Sequence, residues 1–257
     1  MAKYMNNNVI EVKDLVAGYE GRVVLKDVSF TVMRGETFVV LGGSGCGKST
    51  LLKHIIGLHP LISGEVRILG NRIQGGGPGE RESAMRSFGV TYQSGALFGN
   101  MTLLENVCLP LESFTDLPCD ARRLIAEMKL ELVGLKPFAN YFPADISGGM
   151  KKRAAIARAM ALDPKVLLLD EPSAGLDPVT SAELDRLILR LRDTHGISFV
   201  MVTHELESIY TVADRCIMLD AETRSIIAEG KPSELRDSSP NPKVRTFFRP
   251  NAVGSKF

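Results

Sequence analysis

The chain has 257 residues, 31 of them basic and 30 acidic, with 44% hydrophobic side chains, enough for one large domain or two small ones with a sizeable core. So even a charge balance lacks the phosphate-tracking surface of a dedicated nucleic-acid binder, and no nucleic-acid partner is expected. The longest apolar stretches, residues 166–169 and 197–202, fall far short of the roughly 18 to 20 residues that span a bilayer, and residues 1–8 show neither a signal-peptide core nor a transit pattern, so a soluble, cytosol-facing chain is expected.

In chain order, residues 9–12 and 23–32 read as strands around the turn Gly18-Tyr19-Glu20-Gly21. Tyr19 sits where its ring would stack on an adenine, or pack as an ordinary turn aromatic. The run Thr37-Phe38-Val39-Val40-Leu41 then leads into Gly42-Gly43-Ser44-Gly45-Cys46-Gly47-Lys48-Ser49-Thr50, followed by Leu51-Leu52. This satisfies G-x-x-x-x-G-K-[ST] in a strand-loop-helix context. Its glycines let successive N–H groups curl around phosphates, the helix N-terminus adds its dipole, Lys48 supplies a point charge and Ser49 a magnesium ligand. ATP or GTP binding follows. The cysteines read as small buried or surface thiols; for Cys46, inside this loop, the alternative is a thiol acidified by the helix N-terminus and open to oxidation. The four cysteines show no C-x-x-C pairing, so neither a zinc site nor a disulfide framework is indicated.

Residues 64–69 read as a short strand, residues 74–79 as a Gly/Pro loop and residues 88–92 as another strand. Gln93 follows that strand, and its neutral amide can contact magnesium and position a water without adding charge. From about residue 101 to 162 the periodicity becomes helical, with helices expected over residues 121–132 and 148–162. Within this insertion lies a second phosphate-binding segment, Ser147-Gly148-Gly149-Met150. A serine opening a helix, with the N–H groups that follow it, forms an anion site with no lysine of its own.

Residues 166–170 form an apolar strand ending in Asp170-Glu171, at the edge where α/β ligands bind. Asp170 would hold the magnesium shell, usually through water, and Glu171 would orient or deprotonate the attacking water. A helix over residues 178–194 joins this strand to residues 197–203, the βαβ rhythm of a parallel sheet. His204 follows directly, where an imidazole can hydrogen-bond the γ-phosphate. His54, His59 and His195 read as ordinary helix or loop residues. Residues 238–257, rich in Pro, Asn, Ser and basic side chains, read as poorly ordered, or as docking on a neighbour through Phe247, Phe248 and Arg249.

Tyr19, the phosphate loop, Gln93, Ser147-Gly148-Gly149, Asp170-Glu171, Ala174-Gly175-Leu176-Asp177 and His204 together resemble, in order and spacing, the ATPase subunit of ABC transporters. The resemblance covers residues 9 to about 235. It implies an α/β fold: a P-loop core with a mostly parallel sheet, an N-terminal antiparallel β subdomain and an inserted helical subdomain of about residues 95–162, within one domain of residues 9–237 and a tail of residues 238–257. It also implies ATP and Mg2+ as cofactors, and a homodimer in which Ser147, Gly148 and Gly149 contact ATP held by the partner while Asp177 lies at the interface. Met150 and the basic run Lys151-Lys152-Arg153, which can equally be a solvated helix face, look like the ATPases of Mla/Mce-type lipid transporters. So do Tyr92-Gln93-Ser94-Gly95-Ala96-Leu97-Phe98, Met101 to Val107, and Leu109-Pro110-Leu111. That likeness implies membrane permease partners, lipid-binding proteins beyond the membrane, a phospholipid-like cargo and a place on the cytoplasmic face of a bacterial inner membrane. The competing readings are an importer ATPase for polar amino acids or other small solutes, and a soluble mechanical ATPase of DNA repair or translation. The latter usually carries coiled coils or two fused ATPase units. Glu171 and His204 together argue against a regulator without turnover.

Overall fold

The computed structural model describes residues 7–75 and 77–249. Strands β1 (Asn8–Tyr19) and β2 (Arg22–Met33) form an antiparallel hairpin. It closes through Glu20 and Gly21, with φ of 48° and 79°, two left-handed residues whose turn matches the twist of the strands. Gly18 is required here, because a Cβ at that position would overlap the Arg22 carbonyl. β3 (Thr37–Gly42) crosses to a second sheet and runs into α1 (Lys48–Ile55); β4 (Ser63–Ile68) and β5 (Asn71–Arg72) return to the first, giving the order β2-β1-β4-β5. α2 (Pro78–Ser87) begins inside the stretch expected to be loop and precedes β6 (Phe88–Thr91).

The helical insertion carries α3 (Leu103–Phe114), α4 (Cys119–Leu132) and α5 (Gly148–Ala159). β7 (Val166–Asp170), α6 (Pro178–His195), β8 (Ser198–Val202), α7 (Leu206–Val212), β9 (Arg215–Asp220) and β10 (Ser225–Gly230) then complete the core, followed by α8 (Pro232–Ser238) and α9 (Pro242–Phe248). The second sheet has the order β10-β9-β3-β8-β7-β6, with every pairing parallel except β9 with β10. The expected α/β architecture is therefore present: a mostly parallel sheet, an antiparallel β sheet at the N-terminus and an inserted helical layer.

Every residue of β3, β7 and β8 is buried, as befits parallel strands covered on both faces. Alternation along them separates two cores. Val39, Leu41, Leu167, Leu169, Phe199 and Met201 face the cluster shared with the helical insertion. Phe38, Val40, Val166, Leu168, Val200 and Val202 face the cluster shared with α1 and the antiparallel sheet.

The motif at residues 101–107 has a structural account of its own. Thr102 and Glu105 form a reciprocal capping box at the start of α3. The fully buried Asn106 accepts the Phe98 N–H at 2.8 Å and donates to the Phe98, Met101 and Thr102 carbonyls, which pins the loop entering the insertion.

The reading of the tail as poorly ordered is corrected for its described part. Asn241 caps α9 by accepting the Lys243 N–H, Pro242 takes the first helical position, and Val244 and Phe248 are buried in the core. Polar and proline residues that read as disorder act here as a helix start signal. Residues 250–257 of that tail lie outside the described residues.

Candidate functional site

The parallel strands bring the singled-out residues to one edge. β3, β8, β7 and β6 are consecutive neighbours, and at their carboxyl ends stand, in that spatial order, the phosphate loop, His204, Asp170-Glu171 and Gln93. Ligands of open α/β sheets bind at this edge.

The loop between β3 and α1 is shaped by its glycines. Gly42 (φ 146°), Gly45 (76°) and Gly47 (102°) take positive φ values. A Cβ on Gly42 would overlap Cys46 Sγ, and one on Gly47 would press on Leu25 at 2.9 Å, so the loop curls only as a glycine loop. Lys48 Nζ donates to the Gly42 carbonyl at 2.8 Å and the Gly43 carbonyl at 3.1 Å, holding its charge over the loop. Gly43, Ser44 and Gly45 are exposed and Thr50 is half-buried on α1. Cys46 is buried, and burial pushes its thiol up in pKa, with the Lys48 charge working against the rise. Of the two readings of Cys46 this favours the ordinary buried thiol over the acidified one, because desolvation outweighs the nearby cation.

Ser49 Oγ donates to Asp170 Oδ1 at 3.3 Å, placing a hydroxyl and a carboxylate side by side. Burial raises the Asp170 carboxyl, partly offset by that hydrogen bond. Among the described residues no group of three or more His, Cys, Asp or Glu side chains could hold a metal by itself. The pair instead suits a magnesium ion that draws its other ligands from phosphates and water.

Glu171 takes a left-handed φ of 47°, an uncommon conformation for a residue with a side chain. Its N–H donates to the Val202 carbonyl at 2.8 Å, locking it to β8. His204 Nδ1 lies 2.9 Å from Glu171 Oε1, while Glu171 Oε2 is buried and has no hydrogen-bond partner within the chain. One carboxylate oxygen is thus oriented by the imidazole and the other is left to accept a proton or orient a water.

Tyr19 lines a cleft of 540 Å³ beside the loop, with Arg22, Val24, Gly45, Cys46 and Arg224. Its ring also meets His59 and His54 edge-on, at 4.9 and 5.5 Å. Gln93 is exposed, and its carbonyl accepts a hydrogen bond from Lys152 Nζ.

Ser147, Gly148 and Gly149 stand not at a strand end but at the first turn of α5. Ser147 is exposed and caps the helix by accepting the Met150 N–H at 3.3 Å. Gly149 is buried against α6, where a Cβ would overlap Thr180 Cγ2. Asp177 caps α6, accepting the Val179 and Thr180 N–H groups and the Thr180 hydroxyl. The run Lys151-Lys152-Arg153 is half-buried rather than a solvated face. Arg153 donates to the Val133 carbonyl and Lys152 to the Gln93 and Glu171 carbonyls. Sequence reasoning missed this last role, as well as Arg158, which donates to the Gly95 and Ala96 carbonyls at 3.0 and 2.7 Å. Their only signal was a cationic side chain on an expected helix.

A glycine phosphate loop, a hydroxyl-carboxylate pair and a Glu-His pair on one sheet edge define a P-loop nucleotide hydrolase. The ABC transporter family model matches residues 25–174, and the chain belongs to that family as its ATP-hydrolysing component. It is 35% identical over 241 residues to the intermembrane phospholipid transport system ATP-binding protein MlaF of Escherichia coli K12, covering 94% of this chain and 88% of that one. The protein named probable ribonucleotide transport ATP-binding protein mkl in Mycobacterium tuberculosis H37Rv is 39% identical over 245 residues, 95% of this chain and 67% of its own. Among solved structures, the dimeric post-hydrolysis state of the ATP-binding cassette MJ0796 bound to ADP and Pi matches with a TM-score of 0.77 and 31% identity, over 86% of this chain and 98% of that one.

Proposed function

We propose that this chain powers movement of phospholipids or similar hydrophobic molecules, through a dimer that closes on ATP and reopens after hydrolysis. The observation that carries the site reading is the split between its two phosphate segments. The loop at residues 42–50 shares a sheet edge with Asp170, Glu171, His204 and Gln93, whereas Ser147–Gly149 opens a helix of the insertion. One chain therefore supplies two half-sites, and a second copy completes each.

In this reading residues 42–50, with Lys48 at their centre, cradle the phosphates and Tyr19 meets the base. Ser49 and Gln93 would ligate Mg2+, with Asp170 reaching it through water, and the ion would supply charge neutralisation at the phosphates. Glu171 takes up the proton of the attacking water, His204 holds Glu171 and reaches the γ-phosphate, and Ser147, Gly148 and Gly149 serve the nucleotide of the partner, with Asp177 beside them.

None of the described helices is long and apolar enough to cross a membrane, so motion must reach a bilayer through permease subunits, on whose cytoplasmic side the chain would sit. Lipid-binding proteins beyond the membrane are the further partners. Similarity to MlaF over most of both chains supports the lipid cargo; the name of the mycobacterial relative points to a polar solute instead. Purifying the chain with its permease and extracting the complex tests the choice. Co-purified phospholipid and hydrolysis stimulated by lipid are expected. Stimulation by nucleotides or amino acids, with no lipid recovered, would replace the lipid reading with the small-solute one.

A further inference from the structure

Lys152 lies five residues beyond Ser147 on α5, about 7.5 Å along the axis at ~1.5 Å per residue. Its ammonium donates to two main-chain carbonyls from different elements: Gln93, after β6, and Glu171, after β7, the latter at 3.1 Å. Among the described residues no other side chain hydrogen-bonds both. Burial works against its charge, while the charges of Glu171, Glu205 and Asp170 favour it. It joins a residue in an uncommon conformation, Glu171 with a left-handed φ of 47°, to an exposed one, Gln93. Such conformations persist where surrounding contacts over-determine them. For Glu171 those contacts are the Val202 carbonyl, the Ala174 N–H and Lys152.

We propose that Lys152 is a positioning residue for hydrolysis, fixing the main chain of Glu171 and Gln93 relative to each other and tying both to the helix whose first turn carries Ser147–Gly149. Through this lysine, the half-site that serves the partner's nucleotide is mechanically continuous with the base that acts on the chain's own. The inference rests on the reading of Glu171 as the group that activates water. Lys152 acts through these two carbonyls.

The test compares ATP hydrolysis by the full-length wild type, Lys152→Met, Lys152→Arg and Glu171→Gln, with melting temperatures measured alongside. Methionine keeps the stem and removes the donors; arginine keeps charge and donors. Lys152→Met should lower kcat by about 10- to 100-fold, the scale of a catalytic group misplaced by ~1 Å, with KM for ATP and melting temperature close to wild type. Lys152→Arg should recover kcat to within about threefold, because two carbonyls can still be met by a charged donor. Unchanged kcat in Lys152→Met would overturn the inference, as would a loss explained by a raised KM or a lowered melting temperature, or an arginine variant as impaired as the methionine one. Normal turnover by Glu171→Gln would overturn the reading of Glu171 itself. An inactive Glu171→Gln beside a fully active Lys152→Met would overturn only the role of Lys152.

Discussion

Gly149 offers a prediction in which packing and nucleotide contact can be separated. It sits at the second helical position of α5, buried against α6, and a methyl added there would occupy the space of Thr180 Cγ2. Overpacking of this kind costs about 1–3 kcal/mol, and the better helix propensity of alanine returns at most ~1 kcal/mol. A net loss of about 1–2 kcal/mol lowers the melting temperature of a domain this size by roughly 2–8 °C. Thr180→Ser removes Cγ2 while keeping the hydroxyl that bonds Asp177 Oδ2 at 2.6 Å. The double variant Gly149→Ala/Thr180→Ser should therefore melt at or above the wild-type temperature. Thermal unfolding followed by circular dichroism, without nucleotide, measures both. Gly149→Ala melting like wild type, or a double variant that stays destabilised, would refute the packing argument. Hydrolysis by the rescued variant then decides the second question: activity that returns with stability assigns Gly149 to packing, and activity that stays lost assigns it to the nucleotide-facing turn.

Three further outcomes are expected. Glu171→Gln should bind ATP like wild type while losing about 10²–10⁴-fold in kcat, the usual contribution of a general base, and should favour the ATP-bound dimer on gel filtration; turnover within threefold of wild type would remove Glu171 from that role. Burial raises the Cys46 thiol and pushes Cys216 up to about 12, which keeps both from ionising and from meeting reagent at pH 8, whereas Cys119 is exposed. Iodoacetamide labelling read by peptide mass spectrometry should then mark Cys119 first, and equal labelling of Cys46 would contradict the burial argument. Phe248→Ala removes a buried ring that meets Tyr210 at 6.0 Å. An interior Phe→Ala change costs about 3–5 kcal/mol, but α9 lies late in the chain and can undock alone. The expected result is faster trypsin cleavage at Lys243 and Arg245 with ATP affinity retained, and unchanged cleavage would show that α9 does not depend on this ring.

What was legible in the sequence followed from period and punctuation. Buried parallel strands read as continuous apolar runs, so β3, β7 and β8 were found within a residue or two, and the residues just past their ends were located with them. α6 was equally plain, between Asp177-Pro178 and Gly196, because its caps use the commonest start and stop residues. α2 was missed because its low hydrophobicity hides the helical period behind a Gly/Pro stretch, and α9 because capping residues also look like disorder. The larger gap lay in contacts that no spacing encodes. Nothing in Lys151-Lys152-Arg153 says which cation turns inward, since that depends on where β6 and β7 end beside α5. The same limit explains Cys46: a thiol in a phosphate loop can look reactive along the chain, yet in space it is buried, its sulfur against Gly42 and within the core shared with α1. Motif reading located both glycine segments. Only packing shows that one helix, α5, connects the turn at Ser147 to the carbonyl of Glu171. For that reason a substitution at Lys152, which meets main-chain carbonyls after both β6 and β7, is the sharper probe of the proposed coupling between the two segments.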